Sequence, residues 1–136
     1  MRPGRGTHLI LALAASNGLL AGIAGATTYA CANREFEIAC GRDRCERSES
    51  HTPMSVAVNV ATRQVEVCAY SGCWSGRADT LVSRGDHLLV RADRMRRGAG
   101  GGTRTEAGAS VVIDRRAMAG MVLAFGFVNP LSCSRE

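Results

Sequence analysis

A chain of 136 residues is about one domain's worth of sequence. All 17 basic residues are arginine, and beyond residue 26 fifteen arginines stand against 12 acids, a formal charge of +3. That charge is too mild to indicate nucleic acid. Aromatics are limited to Tyr29, Phe36, Tyr70, Trp74, Phe125 and Phe127, so a core must come mostly from Val, Leu, Ile and Ala.

The chain opens with the pattern of an export signal. Arg2 and Arg5 form a positive start, residues 9–24 (LILALAASNGLLAGIA) an apolar run, and Ala24-Gly25-Ala26 a small-x-small cleavage site. An uncleaved anchor is the alternative, because residues 9–26 approach the lower length limit for spanning. Ser16, Asn17 and three glycines weaken that run, and no stop-transfer charges follow. The sequence therefore predicts a signal helix over 1–26, removed to leave one secreted β domain over 27–136, periplasmic or extracellular, without a stable membrane span. Lipidation at Cys31 would need Leu three residues earlier, where Thr28 stands, and would leave an odd five cysteines.

Beyond residue 27, short runs of β type alternate with turn residues. Glu35–Cys40 sets Phe36 and Ile38 on one face. A polar loop, Gly41–Pro53, follows. Ser55–Val60 and Gln64–Ala69 each carry alternating apolar positions (Val56, Val58, Val60; Val65, Val67, Ala69) and predict a hairpin across Ala61–Arg63. Asp79–Ser83 and His87–Ala92 flank Arg84-Gly85-Asp86. This is the integrin-type tripeptide, but it reads as a turn in which Gly supplies positive φ. Met95–Gly108 (MRRGAGGGTRTEAG) is glycine-rich and reads as a long flexible loop. Ser110–Asp114 and Met121–Phe127 complete a third hairpin, with Met121, Leu123, Phe125 and Phe127 on one face. Seven short strands so spaced predict an all-β fold, a small antiparallel barrel or sandwich. A faint echo joins Val56-x-Val58-Asn59 and Ala69-Tyr70 to Val111-x-Ile113-Asp114 and Ala124-Phe125, all 55 residues apart. Two related hairpins or chance both account for it.

Residues 68–76, CAYSGCWSG, pose the main chemical question. Cys73 beside Trp74 is not a protease nucleophile: it follows a strand and has His87 only 14 residues on, and no helix signal is present. Cys40-x4-Cys45 and Cys68-x4-Cys73 would suit zinc in the cytosol, but an exported chain places them where disulfides persist. Six cysteines allow 15 pairings. The preferred set is Cys40–Cys45 and Cys68–Cys73, which close short loops, with Cys31–Cys133 tying the ends together. The rival set crosses the two short pairs.

Arg91, Arg94, Arg96, Arg97 and Arg104, opposed by Asp93 and Glu106, could grip phosphate, carboxylate or sulfate groups of an envelope polymer or acidic protein, with Trp74 as a further candidate contact. The alternative is a solvated basic loop. His51 and His87 have no titratable neighbour at catalytic spacing, and no glycine-rich phosphate cradle opens a helix.

In outline the chain is similar to the membrane-bound inhibitors of C-type lysozyme, small exported barrels with few aromatics and a cysteine near each end. Their Ser-Gly-x-x-Tyr loop has no counterpart. Ser71-Gly72-Cys73-Trp74 and Ser75-Gly76-Arg77-Ala78 both lack the tyrosine, so no site residue carries over. The expected function is that of a non-enzymatic binding or accessory protein of the cell envelope, inhibitor-like in outline. It would be monomeric, without cofactor, metal or nucleic acid. A polyanion binder using Arg91–Arg104 is the first alternative, and a hydrolase with a loop-assembled site is the second.

Overall fold

The computed structural model describes residues 27–70, 72–98 and 106–136. The expected signal segment and Arg104 lie outside them. The described residues contain eleven strands and no helix: β1 (Thr28–Ala32), β2 (Glu37–Cys40), β3 (Cys45–Ser48), β4 (Met54–Asn59), β5 (Gln64–Ala69), β6 (Gly72–Arg77), β7 (Thr80–Arg84), β8 (His87–Arg97), β9 (Glu106–Asp114), β10 (Ala119–Ala124) and β11 (Phe127–Arg135).

Eight of these strands close into an antiparallel barrel in the order β1–β4–β5–β6–β8–β9–β10–β11, and β11 returns to β1. The β2–β3 hairpin hangs from β11 at Phe127 and Val128. β7 continues β6 along the same partner, since Trp74 and Ser75 pair with Arg97 and Arg96, and Thr80–Arg84 with Arg91–His87. Alternation decides which side chains go inside. Tyr29, Cys31, Val56, Val58, Val65, Val67, Leu88, Val90, Val111, Ile113, Val122 and Leu131 fill the interior, each at most 5% exposed. Asn33 and Asn129 are buried too, and are hydrogen-bonded: the Asn33 amide donates to Asn129 Oδ1 at 2.8 Å and to the Phe36 carbonyl at 2.8 Å, and the Asn129 amide donates to Met54 Sδ at 3.6 Å.

Four strands go beyond the seven expected. β1 and β3 carry little apolar alternation, and the inward positions of β6 are Gly72, Trp74 and Gly76. The expected strand 121–127 instead breaks at Phe125-Gly126, both with positive φ (56° and 82°), and β11 begins there. Its expected shared face also differs: Met121 and Leu123 point to solvent (52% and 50% exposed), while Val122 and Ala124 enter the core. The segment expected as a loop over 95–108 is strand at both ends, because β8 runs through Arg97 and β9 starts at Glu106. A bulge between Ala92 and Met95 lets β8 continue. Pro130 lies within β11, opposite the gap between β1 and β2, where a missing N–H breaks no bond to either strand.

The echo at 55 residues extends through the architecture. β4, β5 and β6 superimpose in register on the corresponding residues of β9, β10 and β11: Val56↔Val67 matches Val111↔Val122, and Ala69↔Gly72 matches Ala124↔Phe127. The four non-glycine residues with positive φ form two pairs at the same offset, Arg63 with Met118 and Tyr70 with Phe125. Asn59 Oδ1 accepts from the Thr62 N–H at 2.9 Å as Asp114 Oδ1 accepts from that of Ala117 at 2.9 Å. The barrel is thus two structurally equivalent four-strand meanders, β1–β4–β5–β6 and β8–β9–β10–β11, and chance resemblance of two valine-rich hairpins does not account for matching turns.

All six cysteines are paired as preferred: Cys31–Cys133, Cys40–Cys45 and Cys68–Cys73, with sulfurs 2.08, 2.10 and 2.05 Å apart. Each joins directly opposed residues of neighbouring strands. Cys31–Cys133 closes the seam between first and last strands across 102 residues of chain. Replacing Cys31 and Cys133 together by Ser should cost about 4–5 kcal/mol in denaturant unfolding, against about 2 kcal/mol for Cys68 and Cys73, because the closed loop is longer.

Candidate anion-binding groove

The four described arginines of the expected cluster sit on β8 but do not act as one patch. Up to Ala92 the strand alternates outward and inward, so Arg91 faces out. The bulge then leaves Asp93 and Arg94 both exposed before Met95 returns inside. Two of these arginines are already matched. Arg91 Nε lies 2.6 Å from Asp93 Oδ1, and an Arg94 guanidinium nitrogen lies 3.9 Å from Asp79 Oδ1. Asp79 is held in turn by the Asp93 backbone N–H, which donates to its Oδ2 at 2.7 Å.

Arg96 points outward beside β6 and has no ion-pair partner among the described residues. There it meets Arg77, a residue sequence reasoning passed over because β6 was not expected. Arg77, Arg94 and Arg96, with Ser75, Gly76, Ala78 and Asp79, line an open groove of about 440 Å³. Three guanidinium groups against one carboxylate make this groove the most uneven concentration of charge in a described concavity. Gly76, on the inward face, lets β6 and β8 approach beneath it: a Cβ there would stand 3.1 Å from the Arg94 carbonyl and 3.2 Å from buried Met95.

Trp74 and Arg97 lie apart from the groove. Trp74 is on the inward face of β6 and closes one end of the barrel against Phe125, with ring centroids 4.6 Å apart and planes tilted by 51°. The Arg97 guanidinium lies 5.3 Å from the Trp74 ring centre, a cation–π arrangement. Gly72 makes room for it, since a Cβ there would sit 2.6 Å from Arg97 Nε. The Trp74 indole N–H is buried without a hydrogen-bond partner among the described residues. This tryptophan is a plug of the barrel end and offers no exposed stacking face to the groove.

A larger concavity, about 590 Å³, lies on the outer face of β11, β1, β4 and β5. Its walls are mainly Ala30, Ala32, Ala57, Ser55, Ser132 and Ser134, with Arg34 and Glu66 of opposite sign. It is larger, but its two charges are of opposite sign and leave no net attraction for an anion, so the charged groove is the stronger candidate. Glu66, Cys68 and Cys73 bring three ligand-type atoms within 4.8 Å, but both sulfurs are tied up in the disulfide and are no thiolate donors.

His51 Nδ1 stands 3.4 Å from the Glu49 carbonyl. His87, isolated in sequence, is brought by the register of β8 and β9 to Asp114, with Nε2 3.8 Å from Oδ2. His87 is exposed on the sheet with Asp114 half-buried beside it, and His51 lies half-buried in the loop before β4. Arg84-Gly85-Asp86 forms the β7–β8 turn, with Gly85 at φ 54°, and the Arg115 guanidinium donates to the Gly85 and Asp86 carbonyls.

The Asp114 carboxyl is held below the usual carboxylate range, chiefly by the backbone N–H groups of Ala117 and Arg116, and to a smaller extent by the charges of His87 and Arg116. A depressed carboxyl stabilises the fold above its ordinary pKa of about 4 and loses that effect as pH falls through the lower folded value. Asn59 makes the equivalent turn without a titrating group. Asp114→Asn should therefore leave the fold intact at neutral pH and flatten the acid limb of stability, read by thermal unfolding from pH 7 down to about pH 2.

Among the described residues no helix is long and apolar enough to cross a membrane. No protein-family model, curated protein or solved structure matches the chain.

Proposed function

We propose that this protein is a small exported, non-enzymatic binding module that holds anionic groups of an envelope polymer or acidic protein in the groove of Arg77, Arg94 and Arg96. The observation that carries the reading is the charge imbalance there: three arginines on two adjacent strands, offset only by Asp79. Arginine suits this task because it stays charged and presents a planar fork to sulfate, phosphate or carboxylate oxygens. A rigid sheet supports it, since β6 and β8 are hydrogen-bonded neighbours and their inward faces are packed. Three intramolecular disulfides are compatible with an oxidising, exported location.

A hydrolytic reading has less support. His87 and Asp114 are the one described histidine–carboxylate pair within 4 Å, and both stand on the open outer face of the sheet. No hydroxyl or thiol nucleophile is hydrogen-bonded to His87 among the described residues. The groove also revises the expected site, with Arg77 entering it and Arg91 already neutralised by Asp93.

Titration calorimetry with dextran sulfate, inorganic polyphosphate and polyglutamate tests the proposal. Binding should weaken steeply between low and physiological salt, because exposed charges are screened over about 8–10 Å. Replacing Arg77, Arg94 and Arg96 together by Ala should weaken binding by about 10- to 100-fold, roughly 1.4 kcal/mol per tenfold, with the thermal midpoint unchanged. Equal binding by the variant, or salt-insensitive binding, overturns the assignment.

A further inference from the structure

Two strands have a free edge among the described residues, and they are guarded very differently. β3 pairs only with β2. Its edge is covered with charge: Glu46 and Arg47 lie on it, in ion pairs with Arg44 and Glu49 at 2.8 and 2.9 Å. Charged side chains are the ordinary protection of an exposed edge against further pairing. β7, Thr80-Leu81-Val82-Ser83-Arg84, pairs only with β8 and carries a single charge, at its end.

The sheet face beside this unguarded edge is apolar. Val82 is paired with Leu89, Leu89 with Val112, and Val112 with Met121, all facing outward in one row and 36–52% exposed. The equivalent outward row of the first meander, at the positions matching Leu89, Val112 and Met121, is Ala30, Ala57 and Glu66. The two halves share a backbone and differ here in surface chemistry. The apolar version lies on the half that carries the free strand.

We infer that a second copy of this chain docks on β7, edge to edge and antiparallel about a two-fold axis at Val82, to form a homodimer. A two-fold axis makes such an interface self-complementary. Pairing centred on Val82 places Arg84 opposite Thr80 of the second copy, one residue from that copy's Asp79. The two Arg84 side chains then lie about four residues apart along the ribbon, roughly 14 Å at strand spacing, beyond the screening length at ordinary salt. No like charges face one another, and the positive end of each β7 meets the acidic end of the other. Leu89, Val82 and their two symmetry mates form one continuous apolar row across the axis, the kind of cross-strand contact that stabilises paired strands. The dimer departs from the monomer that the sequence alone suggests.

Sedimentation equilibrium of the 27–136 domain over a micromolar concentration series should give twice the protomer mass. Val82→Lys places a charge at the axis and should return the mass to that of one protomer, with the circular dichroism spectrum kept, because this side chain is 37% exposed in the protomer. Independently, Val82→Cys should give a disulfide-linked dimer on a non-reducing gel. Arg47→Cys on the guarded β3 edge should run as uncross-linked protomer on the same gel at equal concentration. Protomer mass across the whole series, or cross-linking of Val82→Cys no greater than that of Arg47→Cys, overturns the dimer.

Discussion

Everything in this molecule depends on closing the sheet between its first and last strands. An eight-stranded sheet left open at β1 and β11 would expose two rows of unpaired backbone groups and uncover Tyr29, Cys31 and Leu131 from the core. Closure is entropically the costliest step, because these strands are farthest apart in sequence. Cys31–Cys133 sits in the middle of that seam. In the chain-entropy account, a loop of about 100 residues fixed by a disulfide is worth about 4.7 kcal/mol. That is a large share of the marginal stability of a domain this size, typically 5–15 kcal/mol. The opposite seam, β6 with β8, has no such bond and is joined through the β7 turn, where contacts are local.

The two meanders explain why the barrel closes with so few large side chains. The first half supplies an alternating face built mainly of Val, the second one of Val, Ile and Leu, and the halves meet across a common interior. Departures from equivalence are concentrated where specific features lie. Trp74 occupies the position of Asn129 in the other half. One end of the barrel is thereby plugged by two tilted rings in contact, and the matching position instead carries a buried amide that ties down the link between β1 and β2. The β2–β3 hairpin is pinned by its own disulfide, whereas the second half crosses from β8 to β9 through a glycine-rich segment.

Legibility in the sequence followed packing. β4 and β5 alternate strictly around a turn, and both the strands and their hairpin could be read directly. The disulfide pairing followed from compartment and loop length. β6 could not be read, because two of its inward positions are glycines that the close approach of β8 requires, and no hydrophobic period marks them. β11 was hidden by Pro130 and by the turn at Phe125-Gly126. The groove was half legible. The arginines of β8 stood out by composition, but Arg77 belongs to it only because β6 is a strand. Arg91 drops out because Asp93, two residues on and on the same face of the strand, pairs with it. Contacts between strands distant in sequence, such as His87 with Asp114, depend on register, which local pattern does not specify.

The hydrogen bonds between Thr28 and Glu136 have a mechanical consequence. The chain enters and leaves the barrel at neighbouring positions on antiparallel strands, so tension applied through residues 27 and 136 peels β1 from β11 one bond at a time. That peeling stops at Cys31–Cys133, three residues into the seam. Beyond that point the load passes through the sulfur bridge, and the residues between the two cysteines carry none of it. Under oxidising conditions a pull on both ends would therefore lengthen the molecule by only a few residues at each end. After reduction the same pull would open the barrel strand by strand.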